Sequence, residues 1–343
     1  MPRFSIVVPA YNAGVTLGGT LDAILEQRFG DWECIVVDDG STDETRKVAD
    51  SFAARDTRLW VMTQKNCGTG GAYNAGVRAS CGDLIVVCSA DDLLLPQHLA
   101  TMAAFIAREP DYDIYSSNGY YWWPDIGCEL VYARESDRET LSWRLADAIR
   151  ACFYSVGAVY RRGMFDRVGG YREDRHGEDY EFWLRAMALG ARHRYASAAL
   201  SLHRVTSTQK TANLEAAYRD AAKTVQDFGA AHALSSAEVA AVGDRMCECE
   251  TALAKLERDP SGARLRRREC LGGEPPMPPP VLASGVAAEM AMERDAKRLH
   301  ALVLRVVGPR LSGPTLNAVH RVSWVVRPLR LRCARGRSMK ERG

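Results

Sequence analysis

The chain has 343 residues, enough for one large domain with an appendage or for two domains. Its 47% hydrophobic and 26% charged residues make an ordinary globular composition with ample core. A formal net charge of +2 gives no argument for a nucleic-acid partner, and no uncharged apolar run approaches the roughly 20 residues that a spanning helix needs.

From the N-terminus, Met1 to Ser5 lead straight into Ile6-Val7-Val8 without a long apolar region and cleavage site, so no secretory signal is expected. Residues 4 to 9 read as a strand ended by Pro9. The loop Ala10-Tyr11-Asn12-Ala13-Gly14 follows, then a helix with Leu17, Leu21, Ile24 and Leu25 on one face. Trp32 to Val37 give a second strand, which stops at Asp38-Asp39-Gly40-Ser41-Thr42-Asp43. A helix capped by Ser41 or Thr42 comes next, with Val48 and Phe52 facing inward.

Leu59 to Met62 make a third strand, and the glycine-rich run Asn66 to Gly76 turns into another helix. Leu84 to Cys88 form a fourth strand ending in Ser89-Ala90-Asp91-Asp92. Strands alternating with helices imply a mostly parallel sheet flanked by helices, with ligands beyond the strand C-termini. The glycine-rich run lacks G-x-G-x-x-G spacing and follows the third strand rather than the first, which excludes a dinucleotide fold.

Two adjacent carboxylates at the end of an apolar strand repel each other. Asp91 and Asp92 therefore read either as a site for a hard divalent cation or as a polar loop after a core strand. Residues 112 to 132 are aromatic and read as irregular; Tyr120, Tyr121, Trp122 and Trp123 suit either the apolar faces of sugars or packing. A helix is expected around 137 to 151, a strand over 153 to 162 and a turn at Gly169-Gly170-Tyr171. Glu178 and Asp179 open a helix, where carboxylates favour the dipole. Set against the Asp91-Asp92 pair, they give two distant acidic sites, one fit for metal and one for proton abstraction, as transfer to a hydroxyl requires.

Four segments together resemble an inverting glycosyltransferase of family 2 with the GT-A fold. They are Val7 to Asn12, Val36 to Asp43, Ser89 to Asp92 with Pro96, and Gly177 to Arg185. The resemblance covers residues 4 to about 210 and implies an α/β fold, a Rossmann-like mixed, mostly parallel sheet. It implies a nucleotide sugar, most often a UDP-sugar, held by Pro9, Ala10, Tyr11, Asn12, Asp38, Asp39, Gly71, Asn74, Ala90 and Asp91, with Tyr11 stacked on the base and Asp39 accepting from it. Asp91, supported by Asp92, would hold Mn2+ or Mg2+. Asp179 would be the base and Glu178, Trp183 and Arg185 would shape the acceptor side, to which Trp122 and Trp123 are added.

The pattern departs at three positions. Ser89 stands where the first aspartate of Asp-x-Asp is common, Tyr73 where an arginine commonly precedes Asn-x-Gly, and Thr206 where a histidine is common. His203 and Arg204 are open between a diphosphate contact and a surface role.

The expected domains are 1–213 catalytic, 214–258 a helical extension, 259–282 a Pro/Arg-rich linker and 283–343 a basic helical region. The last 50 residues hold thirteen Lys and Arg against Asp295 and Glu341, a local +11, interleaved with aliphatics and Trp324. That pattern fits an anionic membrane surface or a second copy of the chain equally. The ten cysteines lie mostly in apolar runs, as reduced thiols of a cytoplasmic chain do, and Cys247-x-Cys249 lacks the partners of a zinc site. The function expected is metal-assisted sugar transfer to a hydroxyl on a saccharide, a lipid-linked or a small-molecule acceptor. Its rivals are a nucleotide-sugar binder without turnover and a nucleotidyltransferase.

Overall fold

A computed structural model describes residues 3–123, 127–130, 140–141, 143–151, 156–173, 177–205 and 213–258 of the chain. All lie in the first of its two units, Met1–Ala283; the second, Ser284–Gly343, is outside the described residues.

The first half alternates as its sequence implies: β1 (Phe4–Ala10), α1 (Leu17–Leu25), β2 (Trp32–Asp38), α2 (Thr45–Ala53), β3 (Leu59–Thr63), α3 (Gly68–Ala79) and β4 (Leu84–Val87). β1 lies between β2 and β4, parallel to both, and β3 continues the sheet outside β2. Ile6, Val7, Val8, Ile35, Val36 and Val86 are fully buried. Strands covered on both faces read as unbroken apolar runs, and each such side chain contributes about 1.5–3 kcal/mol of burial. The parallel register sets Ala10 opposite Asp38, so the loops after β1, β2 and β4 open along one sheet edge.

The second half mixes directions. β5 (Leu93–Leu94), α4 (His98–Arg108), β6 (Ile114–Trp123), β7 (Gly127–Leu130), β8 (Thr140–Leu141), α5 (Leu145–Arg150), β9 (Val159–Arg161), α6 (Arg162–Val168), α7 (Glu178–Ala188) and β10 (His193–Arg204) complete the sheet. Its order is β3-β2-β1-β4-β9-β6-β10-β5, with β9 antiparallel to β4 and β6.

Three expectations are corrected here. The aromatic stretch read as irregular is the central strand β6, paired parallel with β10 from Ile114 to Trp122. It lacks period-two alternation because Ile114 through Gly119 are buried on both faces. The strand expected over 153–162 is confined to β9 among the described residues, since Arg162 already begins α6. Of the helix expected around 137 to 151, the described residues hold Leu145–Arg150, while Thr140–Leu141 are strand β8.

Residues 214–258 form α8 (Leu214–Ala231) and α9 (Ser236–Arg258). They do not stand apart: Val225, Phe228 and Ala241 join the same buried cluster as Ile149, Tyr180, Phe182 and Trp183.

Candidate functional site

At the C-terminal edge of the parallel strands, the loop after β1 turns through Asn12, whose φ is +48°. Its Oδ1 accepts from the Thr42 N–H at 2.9 Å, and its own N–H donates to Ser41 Oγ at 3.0 Å. Ala10 O accepts from the Asp39 N–H at 2.8 Å. Asp38 Oδ1 takes the Ser41 N–H, and Asp39 Oδ1 takes both Gln64 Nε2 at 2.7 Å and the Cys67 N–H at 2.9 Å. Both aspartates are 3% exposed, whereas Tyr11 is 53% exposed. The loops after β1 and β2 thus form a shelf that carries an exposed aromatic side chain and two buried, hydrogen-bonded carboxylates.

A cavity of about 200 Å3 opens among α3, the loop after β4, β6, α7 and β10. Tyr73 of α3, Ser89 and Asp92 of the loop after β4, Gly119, Tyr120 and Tyr121 of β6, Tyr171, Glu178, Asp179 and Trp183 around α7, and Ser201 and His203 of β10 line it. Two stretches far apart in sequence, Ser89–Asp92 and Glu178–Asp179, thus meet across one space.

α7 starts at Gly177, whose φ of +73° is left-handed and open to glycine without strain. Glu178 and Asp179 occupy its first turn, where the helix dipole favours negative charge. Glu178 is buried, and Asp179 is exposed with Oδ1 accepting the Tyr180 N–H at 2.7 Å.

Several expected site residues turn inward. Asn74, 2% exposed, donates to Tyr171 O at 2.8 Å and Glu173 Oε1 at 3.1 Å and accepts the Tyr171 N–H at 2.7 Å. It ties α3 to the segment before α7 rather than lining the cavity. Arg185 pairs with Glu181 at 2.7 Å and donates to Val168 O and Gly170 O, so its guanidinium is a clamp of the protein on itself. Trp122 is 2% exposed beneath the Arg204 guanidinium, 4.5 Å from its ring centroid, and the side chain of Trp123 lies outside the described residues. Aromatic rings do line the cavity, but they are Tyr73, Tyr120, Tyr121, Tyr171 and Trp183.

Asp92 differs from the metal role expected of it. At 1% exposure its Oδ1 accepts the Arg204 N–H at 3.1 Å and lies 3.0 Å from His203 Nδ1. It staples β10 to the loop after β4, reinforced by Arg204 Nε donating to Asp91 O at 2.9 Å. Arg204 is therefore a buried structural group, not a surface one, while His203 faces the cavity. Thr206 lies outside the described residues. Asp91 has intermediate exposure in the loop after β4 and is not among the residues that line the cavity. Among the described residues no group of three or more His, Cys, Asp or Glu is arranged to hold an ion, and Cys247 and Cys249 are free thiols.

Tyr171, Ser201 and Thr69 were not singled out by sequence. Ser201 and His203 share one face of β10 by period-two alternation, a signal available once a strand is assigned there.

Comparison with known proteins gives three findings. Residues 5–169 match the profile described as Glycosyl transferase family 2. A "PGL/p-HBAD biosynthesis glycosyltransferase" of Mycobacterium bovis is 33% identical over 180 residues, covering 50% of this chain and 63% of the relative. The "Uncharacterized glycosyltransferase EpsJ" of Bacillus subtilis is 29% identical over 214 residues, covering 60% and 61%. The chain thus spans under two thirds of the length of these curated relatives. Among solved structures, S. aureus TarS 1-349 in complex with UDP-GlcNAc is 19% identical with a TM-score of 0.55, covering 88% of this chain and 81% of that one. The mannosyltransferase PcManGT from Pyrobaculum calidifontis, in complex with GDP-Man and Mn2+, is 20% identical with a TM-score of 0.56, covering 94% and 86%. At these identities the structural likeness is one of fold, and the fold is GT-A.

Proposed function

We infer, from the membership of this chain in glycosyl transferase family 2, that it moves a sugar from a nucleotide-sugar donor to an acceptor hydroxyl, with inversion at the anomeric carbon. The observation that carries this reading is the meeting of Ser89 and Asp92 with Glu178 and Asp179 around one cavity, on the sheet edge along which the loops of Tyr11 and Asp39 also open. The shelf suits a nucleobase: Tyr11 offers a ring face, and Asp39, both of whose hydrogen bonds fall on Oδ1, offers acceptor capacity to a base N–H. UDP-sugars are the donor class proposed.

Asp179 takes the proton of the acceptor hydroxyl as its oxygen bonds to the anomeric carbon. The bond from that carbon to the diphosphate oxygen breaks, and the nucleoside diphosphate leaves with the electron pair. A positioned carboxylate base typically adds about 10² to 10⁴ in rate. Glu178, beside it and buried, borders the space where the hydroxyl would sit.

A divalent cation, Mn2+ or Mg2+, fits Asp91, because such ions commonly use one or two carboxylates and complete their shell with substrate phosphates. It would supply stabilisation for charge gathering on the leaving diphosphate. The Asp92 carboxylate, held by the Arg204 N–H and His203, supports that loop.

Asp179→Asn is expected to cut transfer by at least about 100-fold while leaving nucleotide-sugar affinity nearly unchanged. Steady-state transfer and calorimetric donor titration check both arms. Equal activity of variant and wild type would refute the assignment. A binder without turnover or a nucleotidyltransferase has no use for a base at this position.

A further inference from the structure

We propose that Ser201, in a notch beside Gly119, is the binding group for one ring hydroxyl of a sugar held in the cavity. This deepens the transferase reading and rests on it. The cavity, about 200 Å3, is smaller than the roughly 300–1,000 Å3 usual for a whole small-molecule ligand, and neither Tyr11 nor Asp39 lines it. It suits a single sugar unit and not a complete nucleotide sugar.

Ser201 lines that cavity at 1% exposure, between Leu200 and Leu202, which are buried. Its backbone is fixed by the neighbouring strand: Ser201 pairs with Leu94 of β5, and Leu200 O accepts the Leu95 N–H at 2.9 Å. Among the described residues the Ser201 hydroxyl has no hydrogen-bond partner. A molecule in the cavity is then what pairs with it.

Two features of the chain put the hydroxyl there. The register of β10 on β6 shifts twice just before it, so that β10 advances from Ala199 to Leu202 while β6 advances only from Asn118 to Tyr120. Irregularities of this kind re-aim side chains next to sites. Gly119 is the second feature. A Cβ at that position would lie 2.7 Å from Ser201 Oγ and 3.2 Å from Ser201 O, so any other residue would press on the hydroxyl and fill the space beside it. Tyr120 and Tyr121, next along β6, also line the cavity, and such rings suit the apolar face of a sugar. A serine hydroxyl both donates and accepts, which complements a sugar hydroxyl in either sense. Donor sugar and acceptor saccharide offer the same chemistry, and the test separates them.

The test is Ser201→Ala in the full chain. Because the hydroxyl has no partner among the described residues, the denaturant midpoint of the ligand-free variant is expected to equal that of wild type. Calorimetry with UDP-glucose, UDP-GlcNAc, GDP-mannose, UDP and GDP, with Mn2+ present, reads the donor arm. Transfer to the methyl glycosides of glucose, galactose and mannose reads the acceptor arm. About 5-fold weaker binding of the sugar nucleotide that wild type binds best, the worth of one net hydrogen bond, with unchanged affinity for its nucleoside diphosphate, places the hydroxyl on the donor sugar. An about 5-fold higher KM for the glycoside, with donor affinity unchanged, places it on the acceptor. Gly119→Ala, which closes the notch, is expected to lose at least as much in the same arm. A lower midpoint for Ser201→Ala, equal losses for sugar nucleotide and nucleoside diphosphate, or no loss in either arm overturns the role of Ser201 and leaves the transferase reading standing. Failure of wild type to bind any sugar nucleotide overturns both.

Discussion

Asp91 and Asp92 are neighbours in sequence and opposites in the fold. Asp92 is fully buried with its carboxylate against Arg204 and His203, while Asp91 stays half-exposed at the sheet edge. Asp92→Ala would leave the buried Arg204 N–H without its acceptor and is expected to cost about 1–3 kcal/mol of stability, read as a lower denaturant midpoint. Asp91→Ala is expected to abolish the Mn2+ dependence of donor binding; unchanged affinity with Mn2+ present would contradict the ligand role. Two buried histidines set a different residue-scale expectation. Burial pushes His98 down to about 4, against the opposing pull of the Leu200 and Gly157 backbones, and His193 down to about 3. Because the folded values lie below the unfolded value of about 6.5, the stability these neutral rings lend is complete above that pH. It drains as pH falls toward 4, by roughly 1.4 kcal/mol per pH unit for each ring. Urea titrations between pH 7 and 4 should show this slope, and His98→Gln should flatten it by about one proton; an unchanged slope would show that His98 is not the group titrating.

At the scale of elements, the shape of the cavity depends on how closely α3 approaches the segment before α7. A Cβ added at Gly70 would lie 2.4 Å from Arg172 O, a backbone atom that cannot swing away. Gly70→Ala is therefore expected to push these elements apart at a cost of about 1–3 kcal/mol. It should lower both thermal stability and transfer, since Thr69 and Tyr73 of α3 share a cavity wall with Glu178 and Asp179. A variant with wild-type melting and turnover would show the contact to be dispensable. The strand elements illustrate what alternation can and cannot reveal. β1, β2 and β4 were plain as apolar runs ending in polar loops. β6 was not, because Ser116, Ser117 and Asn118 are buried in the middle of the sheet, with Ser116 against His193 at 2.7 Å. A polar residue satisfied by a partner 77 positions away looks, in sequence, like a residue facing water.

For the molecule as a whole, α8 and α9 pack into the buried cluster beneath α7, so residues 214–258 share a core with the residues before them. None of the helices among the described residues is long and apolar enough to cross a membrane. Contact with a membrane surface is proposed for residues 290–343, on the local +11 and its interleaved aliphatics. Co-sedimentation with anionic vesicles should fall when these residues are deleted and should weaken with salt; binding that is indifferent to the deletion would remove the idea. The sequence by itself determined the alternating first half, the sheet edge where ligands bind and the acidic stretches that face it, because strands, caps and turns are local in sequence and leave their pattern there. Only the tertiary structure decided which of the chemically apt side chains face the cavity. Asn74, Arg185 and Trp122 were as apt as Tyr73, Ser89, Tyr121 and His203, but contacts 15 to 97 residues away in the chain draw Asn74 and Arg185 into the protein's own bonding. Long-range hydrogen bonds of that kind follow from how elements pack, which no spacing along one element encodes.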